Sequence, residues 1–509
     1  MLQLNKNYYS LRSITIEMVI FFYMLEALKR KHPEYNSEYW ELLSAISEGA
    51  DCMTDAIKRK LMINPDMRPE VVIKDRIKLA NYNNKLAPIL NRFNSELFKN
   101  PGVPVGSSDP FWSENFFKYG GLLDGDDDGR CSLNTFLSSA MMSALICGKA
   151  IAQIDTKLSS NAISLADQKA SGELNPYIIL HPRSALWDWK TGRNGFDFCK
   201  LHQFQLIQET WDSPRIPQHI FTIYYRQNEK ILTSKYVVKR IPKDNKPLPL
   251  VPFIEAVETK DIIIEPVIEN QLIFNVRGKF EFPIATLTLP KSLWMAAQLF
   301  DCQKSYFNQT AALEYALYTN NYSMPVITGV DDESDDPVQN RAMGDGYYLT
   351  LKTGQQITNF ERSGENIKTA IQYRNEIKRD IYDVLQQIAM SASDGAGIVA
   401  RSGVSKAEDR RPEQILLEKY GQIIKEFILQ ILKPAAIAHG EIVDWSITGY
   451  DDFLGFDLNQ LLQDMQAIEA IDIPSPTFKK EVQKHFIKRA GRVYDLDPMA
   501  ISLSMDEIG

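Results

Sequence analysis

The sequence predicts an α+β protein, helical towards both ends with a β-rich stretch between. Three observations carry this. From Ile14 to about Leu97 apolar residues recur at three- and four-residue spacing with few glycines. Between Tyr177 and Phe282 the texture changes to β-branched and aromatic runs separated by turn residues. Beyond Ile367 two long segments carry clear apolar stripes.

The elements follow in order. The prolines and glycines of residues 99–110 cannot continue a helix and predict a loop. Ser132 to Ile146 reads as a helix running into an apolar strand, Cys147 to Ile154. In the β-rich stretch, His219–Tyr225, Tyr236–Arg240 and Ile262–Glu265 are strands, punctuated by Pro242, Pro247, Pro249 and Pro252. Pro290 is expected to open a long helix, being well tolerated in a first turn. Leu293, Ala297, Phe300, Phe307, Ala311, Tyr315 and Tyr318 mark its apolar face, with Gln303 and Asn308 elsewhere, and it should end before Asn320–Asn321. Met324–Thr328 and Tyr347–Leu351 read as strands around an acidic loop, Asp331–Asp336. Ile367, Ile371, Ile377, Ile381, Val384, Leu385 and Ile388 then form one helical stripe, and Leu416, Tyr420, Ile423, Ile424, Phe427, Ile428 and Ile431 another. Ser391 to Ser405 joins them with three glycines and no bulky aromatic, which predicts a mobile connection. Leu458–Ala470 and Pro476–Ala490 are further helix candidates.

The 509 residues, 44% hydrophobic and 24% charged, are enough for a large core and several modules. Five widely spaced cysteines without a CxxC pair predict reduced, cytosolic folding. The run Ile14–Leu25 contains Glu17, falls short of the about 20 residues needed to span a bilayer, and lacks the marks of an export signal. A net charge of −8 argues against a protein that grips nucleic acid by neutralising phosphates.

Sites of chemistry are few. Asp124, Asp126 and Asp128 with Gly129 open like a calcium loop, but Thr135 stands where the bidentate carboxylate belongs. An acidic turn capping the helix near Ser132 is the reading preferred. His32, His181, His202, His219, His439 and His485 are scattered without an HxxxH or HExxH pair. Gly148–Lys149 and Gly278–Lys279 lack the surroundings of a phosphate-cradling loop, and no GxSxG elbow is present. Met141–Met142 and Trp187–Asp188–Trp189 read as core or interface filling. No catalytic residue, metal site or cofactor is expected.

The order of these pieces resembles the portal family of tailed bacteriophages. Three stretches carry the resemblance: Phe282–Asp301 as entry to the helix after the clip, Gly344–Glu361 as the strand before the next helix, and Gly403–Arg411 running into Ile415–Tyr420 as the start of the long helix. The resemblance implies a portal-type fold, with a mostly helical wing, stem and C-terminal region and a β-rich, clip-containing insert. It places an N-terminal helical wing at 1–155, the β-rich region with the clip at 156–285, a stem helix at 286–320, wing strands and helix at 321–390, a tunnel loop at 391–405, the long helix at 406–440 and a C-terminal wing or crown at 441–509.

It further implies a non-enzymatic homo-oligomeric ring, typically a dodecamer, at one capsid vertex of the virion, made in the host cytoplasm. Double-stranded DNA would pass through it during packaging and ejection. Its partners would be the terminase, the major capsid protein and head–tail adaptor proteins, with no membrane. Asp394, Gly395, Gly397, Ile398, Val399, Arg401, Ser402 and Gly403 would face DNA in the tunnel loop. Arg401, Lys406, Arg410 and Arg411 beside it are offset by Glu408, Asp409 and Glu413. A weakly repulsive wall suits a conduit for a polyanion, since each strong phosphate contact would add friction. The alternative carried beside this reading is a soluble helical scaffold or adaptor of the virion, and a metal-dependent nuclease or hydrolase using Asp124, Asp126 and Asp128 is a third.

Overall fold

The periodic N-terminal stretch forms five helices: α1 (21–29), α2 (Ser37–Glu48), α3 (Asp55–Leu61), α4 (Glu70–Leu79) and α5 (Leu86–Leu97). Local capping sets two of their starts. The Asn36 side chain accepts from the Tyr39 N–H, and that of Thr54 from the Ile57 N–H. The computed structural model describes residues 21–63, 70–99, 101–123, 129–156, 175–193, 195–208, 215–240, 262–320, 324–328, 356–360, 365–392 and 411–450, with 453, 480 and 484 singly.

A π-helical turn, Trp112–Phe116, leads into α6 (Phe117–Tyr119), and α7 (Leu133–Cys147) follows. Ser132 caps α7 by accepting from the Thr135 N–H at 3.2 Å. Gly148, with φ +76, ends it in the left-handed conformation. A Cβ at Gly148 would lie 2.7 Å from the Trp294 ring, so the strand expected from Cys147 begins instead at Lys149.

Two five-stranded sheets follow. The first contains β2 (Gly121–Leu122), β3 (Arg130–Cys131), β4 (Lys149–Thr156), β5 (Pro176–His181) and β11 (Ile284–Thr288), in the order β11-β4-β5-β2-β3. The second is an antiparallel meander of β6 (Leu186–Gly192), β7 (Gly195–Ile207), β8 (Ile216–Gln227), β9 (Lys230–Arg240) and β10 (Ile262–Leu272). One face of the meander, with Cys199, Leu201, Tyr224 and Ile231, packs on Ile151, Phe282 and Ile284. The other, with Trp187, Phe221 and Val238, packs on Leu25 and Leu28 of α1. Two short ladders complete the β structure: β1 (Val103–Val105) with β14 (Ser446–Thr448), and β12 (Met324–Thr328) with β13 (Gln356–Phe360). β1 lies within the stretch expected to be all loop. Tyr347–Leu351 and the C-terminal helix candidates lie outside the described residues, apart from helical Lys480 and Lys484.

Three long helices follow among the described residues: α8 (Met295–Asn320), α9 (Glu365–Ala392) and α10 (Arg411–His439), the last running through Pro434. Pro290 does not open α8. It precedes a 3-10 turn, Lys291–Leu293, and Trp294 leaves helical geometry while its indole N–H donates to the Ile146 carbonyl at 2.8 Å. α8 is also buried more completely than a one-sided stripe implies. Gln303 is 1% exposed, with its amide donating to the Asn83 carbonyl and its oxygen accepting from the Lys85 N–H. Asn308 does the same with the Leu61 carbonyl and the Ile63 N–H. Both replace backbone partners that loop amides would otherwise lack.

The largest core joins α2, α4, α5, α7, α8 and α10 to β4 and β11. Arg183 reaches into it between the rings of Trp40 and Trp294, 4.4 and 5.1 Å from their centroids, and donates to the Cys147 carbonyl. All five cysteines are free thiols. Among the described residues no helix is long and apolar enough to cross a membrane.

Candidate functional site

The expected DNA-facing residues, Asp394, Gly395, Gly397, Ile398, Val399, Arg401, Ser402 and Gly403, lie outside the described residues, as do Asp124, Asp126 and Asp128. The helices flanking the former group are described. α9 packs on α8 and on the turn Lys291–Leu293. Ile377 and Ile381 of α9 enter the main core, and Val384 and Leu385 rest against it. On α10, the Tyr420 hydroxyl donates to the Leu293 carbonyl at 2.7 Å, and Glu413 in its first turn pairs with Arg92 at 2.8 Å. α9 and α10 thus both contact the turn Lys291–Leu293 that precedes α8.

Along α9, Ile371, Tyr373 and Tyr382 are 36%, 50% and 48% exposed. On α10, Leu416, Tyr420, Ile424, Phe427, Ile428 and Ile431 are all buried. Gly421 allows Tyr450 to approach: a Cβ there would run into the Tyr450 carbonyl oxygen.

A second cluster was not legible in the histidine spacing. Antiparallel pairing of β7 and β8 sets His202 opposite Phe221 and Phe204 opposite His219, so the two imidazoles meet diagonally on one face. His202 Nε2 and His219 Nδ1 are 2.7 Å apart. His181 lies nearby, Nε2 2.7 Å from Gln153 Oε1 and Nδ1 3.3 Å from Gln203 Nε2. The three line a cleft of about 620 Å³ that Lys31 and Tyr35 also border. Burial pushes His181 and His219 down to about 4. Burial, followed by the charges of His219, Lys31 and Lys200, pushes His202 to about 3. Burial thus favours the neutral form of all three rings at pH 7. Beside it, burial takes Lys200 down to about 8. Its ammonium donates to the Ala27 and Arg30 carbonyls at the end of α1 and lies 3.9 Å from Asp188.

A third cluster joins residues 330 positions apart in the chain. Asp109, just after β1, places Oδ2 3.4 Å from Nε2 of His439, the last residue of α10. Glu441 follows Gly440, whose φ of +91 turns the chain back. One carboxylate or imidazole atom from each of the three lies within 4.8 Å of the others. The Phe111 N–H donates to Asp109 Oδ1 at 2.8 Å, and that bond is the main cause holding the Asp109 carboxyl below the usual range. The Trp112 indole N–H and the Ser107 hydroxyl both donate to Glu441 Oε2 at 3.2 Å. The His439 ring stacks on Phe111 at 4.1 Å and 13°.

The glycine–lysine pairs are structural: Gly148–Lys149 is a helix cap and strand start, and Gly278–Lys279 closes a tight turn with φ +51 at Arg277 and +78 at Gly278. Trp187 is buried against α1, and Trp189 stacks on His32 at 3.8 Å. No protein-family model matches this sequence, and no curated protein matches it.

Proposed function

We propose that the chain is a portal subunit of a tailed bacteriophage, a non-enzymatic component of a ring through which double-stranded DNA enters and leaves the capsid. The observation that carries the reading is the pair of long helices α9 and α10, both resting on the turn that precedes α8, joined in sequence by a glycine-bearing connection, with Ile371 and Tyr382 exposed on one side of α9. That arrangement suits a subunit that packs beside copies of itself and offers a yielding segment to a common axis. The order of elements supports it too: helices, a β-rich insert, α8, the β12–β13 ladder, then α9 and α10. The net charge of −8 fits a wall along which a polyanion slides.

In this reading the ring, a dodecamer, sits at one capsid vertex of the virion after synthesis in the host cytoplasm, docking the terminase during packaging and the adaptor proteins afterwards. The segment 391–405 lines the channel. Native mass measurement tests the assembly, with a single species of about twelve 58.1-kDa subunits expected. Deleting Gly395–Gly403 tests the channel. Rings should persist while packaging or retention of DNA fails, and failure of the ring itself would make the segment a structural joint instead.

A further inference from the structure

We infer that Asp109, His439 and Glu441 form a site for one divalent transition-metal ion of the Zn²⁺ class, a clip tying the end of α10 to the segment after β1. The donor set is one imidazole and two carboxylates, which suits Zn²⁺. The 3.4 Å between Asp109 Oδ2 and His439 Nε2 is long for a charge-assisted hydrogen bond, about 2.7–2.9 Å. It matches the edge of a tetrahedron around an ion with donors about 2.0–2.1 Å away, about 3.3–3.4 Å.

Each ligand is also held by groups of its own. Asp109 has one oxygen occupied by the Phe111 N–H and the other turned to His439. Glu441 receives both the Ser107 hydroxyl and the Trp112 indole on Oε2, which fixes its carboxylate beside the other two ligands. The His439 ring is fixed between Phe111 and Trp112. Such outer partners orient the two carboxylates as a metal site requires, while the imidazole is oriented by ring stacking, its Nδ1 buried without a hydrogen-bond partner. Three protein donors leave a fourth position for water. The ion would close a loop of more than three hundred residues between positions 109 and 439, where a cross-link is most effective in principle.

The test uses the full chain stripped with EDTA, then titrated calorimetrically with Zn²⁺. One ion per chain and a raised unfolding temperature are expected. His439→Gln and Asp109→Asn should each weaken Zn²⁺ binding by at least about 100-fold, and Ser107→Ala by about 10-fold. Asp444→Asn, an exposed carboxylate nearby, should bind as the unaltered chain does. Co²⁺ added to the unaltered protein should give the intense visible absorption of a tetrahedral N/O site, a readout that does not depend on any variant folding. Binding only at millimolar Zn²⁺, Co²⁺ spectra of an octahedral aquo ion, or unchanged affinity in His439→Gln and Asp109→Asn would each overturn the assignment.

Discussion

Helices α9 and α10 have nearly equal lengths, 28 and 29 residues, and both carry an apolar stripe, yet the fold treats them differently. α10 runs through the core and buries every large apolar residue of its stripe except the partly exposed Ile423. α9 lies on the outside, anchored by Ile377 and Ile381, and leaves Ile371, Tyr373 and Tyr382 in solvent. The same periodicity therefore serves two ends. In α10 it is satisfied within the chain; in α9 Ile371 and Tyr382 stay exposed on one side, the surface that the proposed ring would cover.

This contrast ranks a set of substitutions. Phe427→Ala, deep in α10, should cost about 3–5 kcal/mol in urea unfolding, because a ring-sized cavity opens where the surroundings are already packed. Gly421→Ala should cost about 1–3 kcal/mol by overpacking against Tyr450, although it removes no apolar group from the core. Equal destabilisation by Phe427→Ala and by Ile371→Ala on α9 would abolish the distinction between the helices.

The histidine cluster of β5, β7 and β8 gives a second contrast, because three buried imidazoles stand among apolar residues there, whereas the stripe of α10 holds none. His181, His202 and His219 are neutral in the fold, with pKa values of about 4, 3 and 4, whereas in the unfolded chain they titrate near their ordinary value of 6.5. Between these values the unfolded chain binds more protons. Stability should therefore be fully present above pH 6.5 and fall steadily as the pH drops towards 4. The urea midpoint at pH 5 should lie below that at pH 7, and His202→Gln should flatten the slope. A midpoint independent of pH over that window would show that the rings are not buried neutral. α10, by contrast, has no buried histidine in its stripe to make Phe427→Ala pH-dependent.

The smallest effect on folding belongs to α9. Ile371→Asp should shift subunit stability by no more than about 0.5 kcal/mol, as expected for an exposed position. Its consequence should appear only in assembly, as loss of the largest species on size exclusion with an unchanged circular dichroism spectrum.

What the sequence revealed follows the same division. The stripe from Leu416 to Ile431 was legible because spacing and burial coincide there. In α9 the helix was legible, but the fate of Ile371 was not, since periodicity reports a face and not what covers it. Pro290 misled because the breaking element is Trp294, turned out of the helix to reach the Ile146 carbonyl. Gln303 and Asn308, placed off the apolar face in the sequence, are buried because their polarity serves the backbone of distant loops. The histidine pair depends on the β7–β8 register, and the Asp109, His439 and Glu441 cluster on the return of the chain beside β1. Neither has a signature at short range. Electrostatics follows suit: Glu413, which in sequence merely balances nearby cations, pairs with Arg92 more than three hundred residues away.

Negative-stain electron microscopy of the purified protein, beside Ile371→Asp, decides whether the chain assembles into a ring. The unaltered chain should give annular particles with a central opening wide enough for a DNA duplex, and Ile371→Asp should give dispersed subunits. Monodisperse single subunits of the unaltered chain at high concentration would contradict the account.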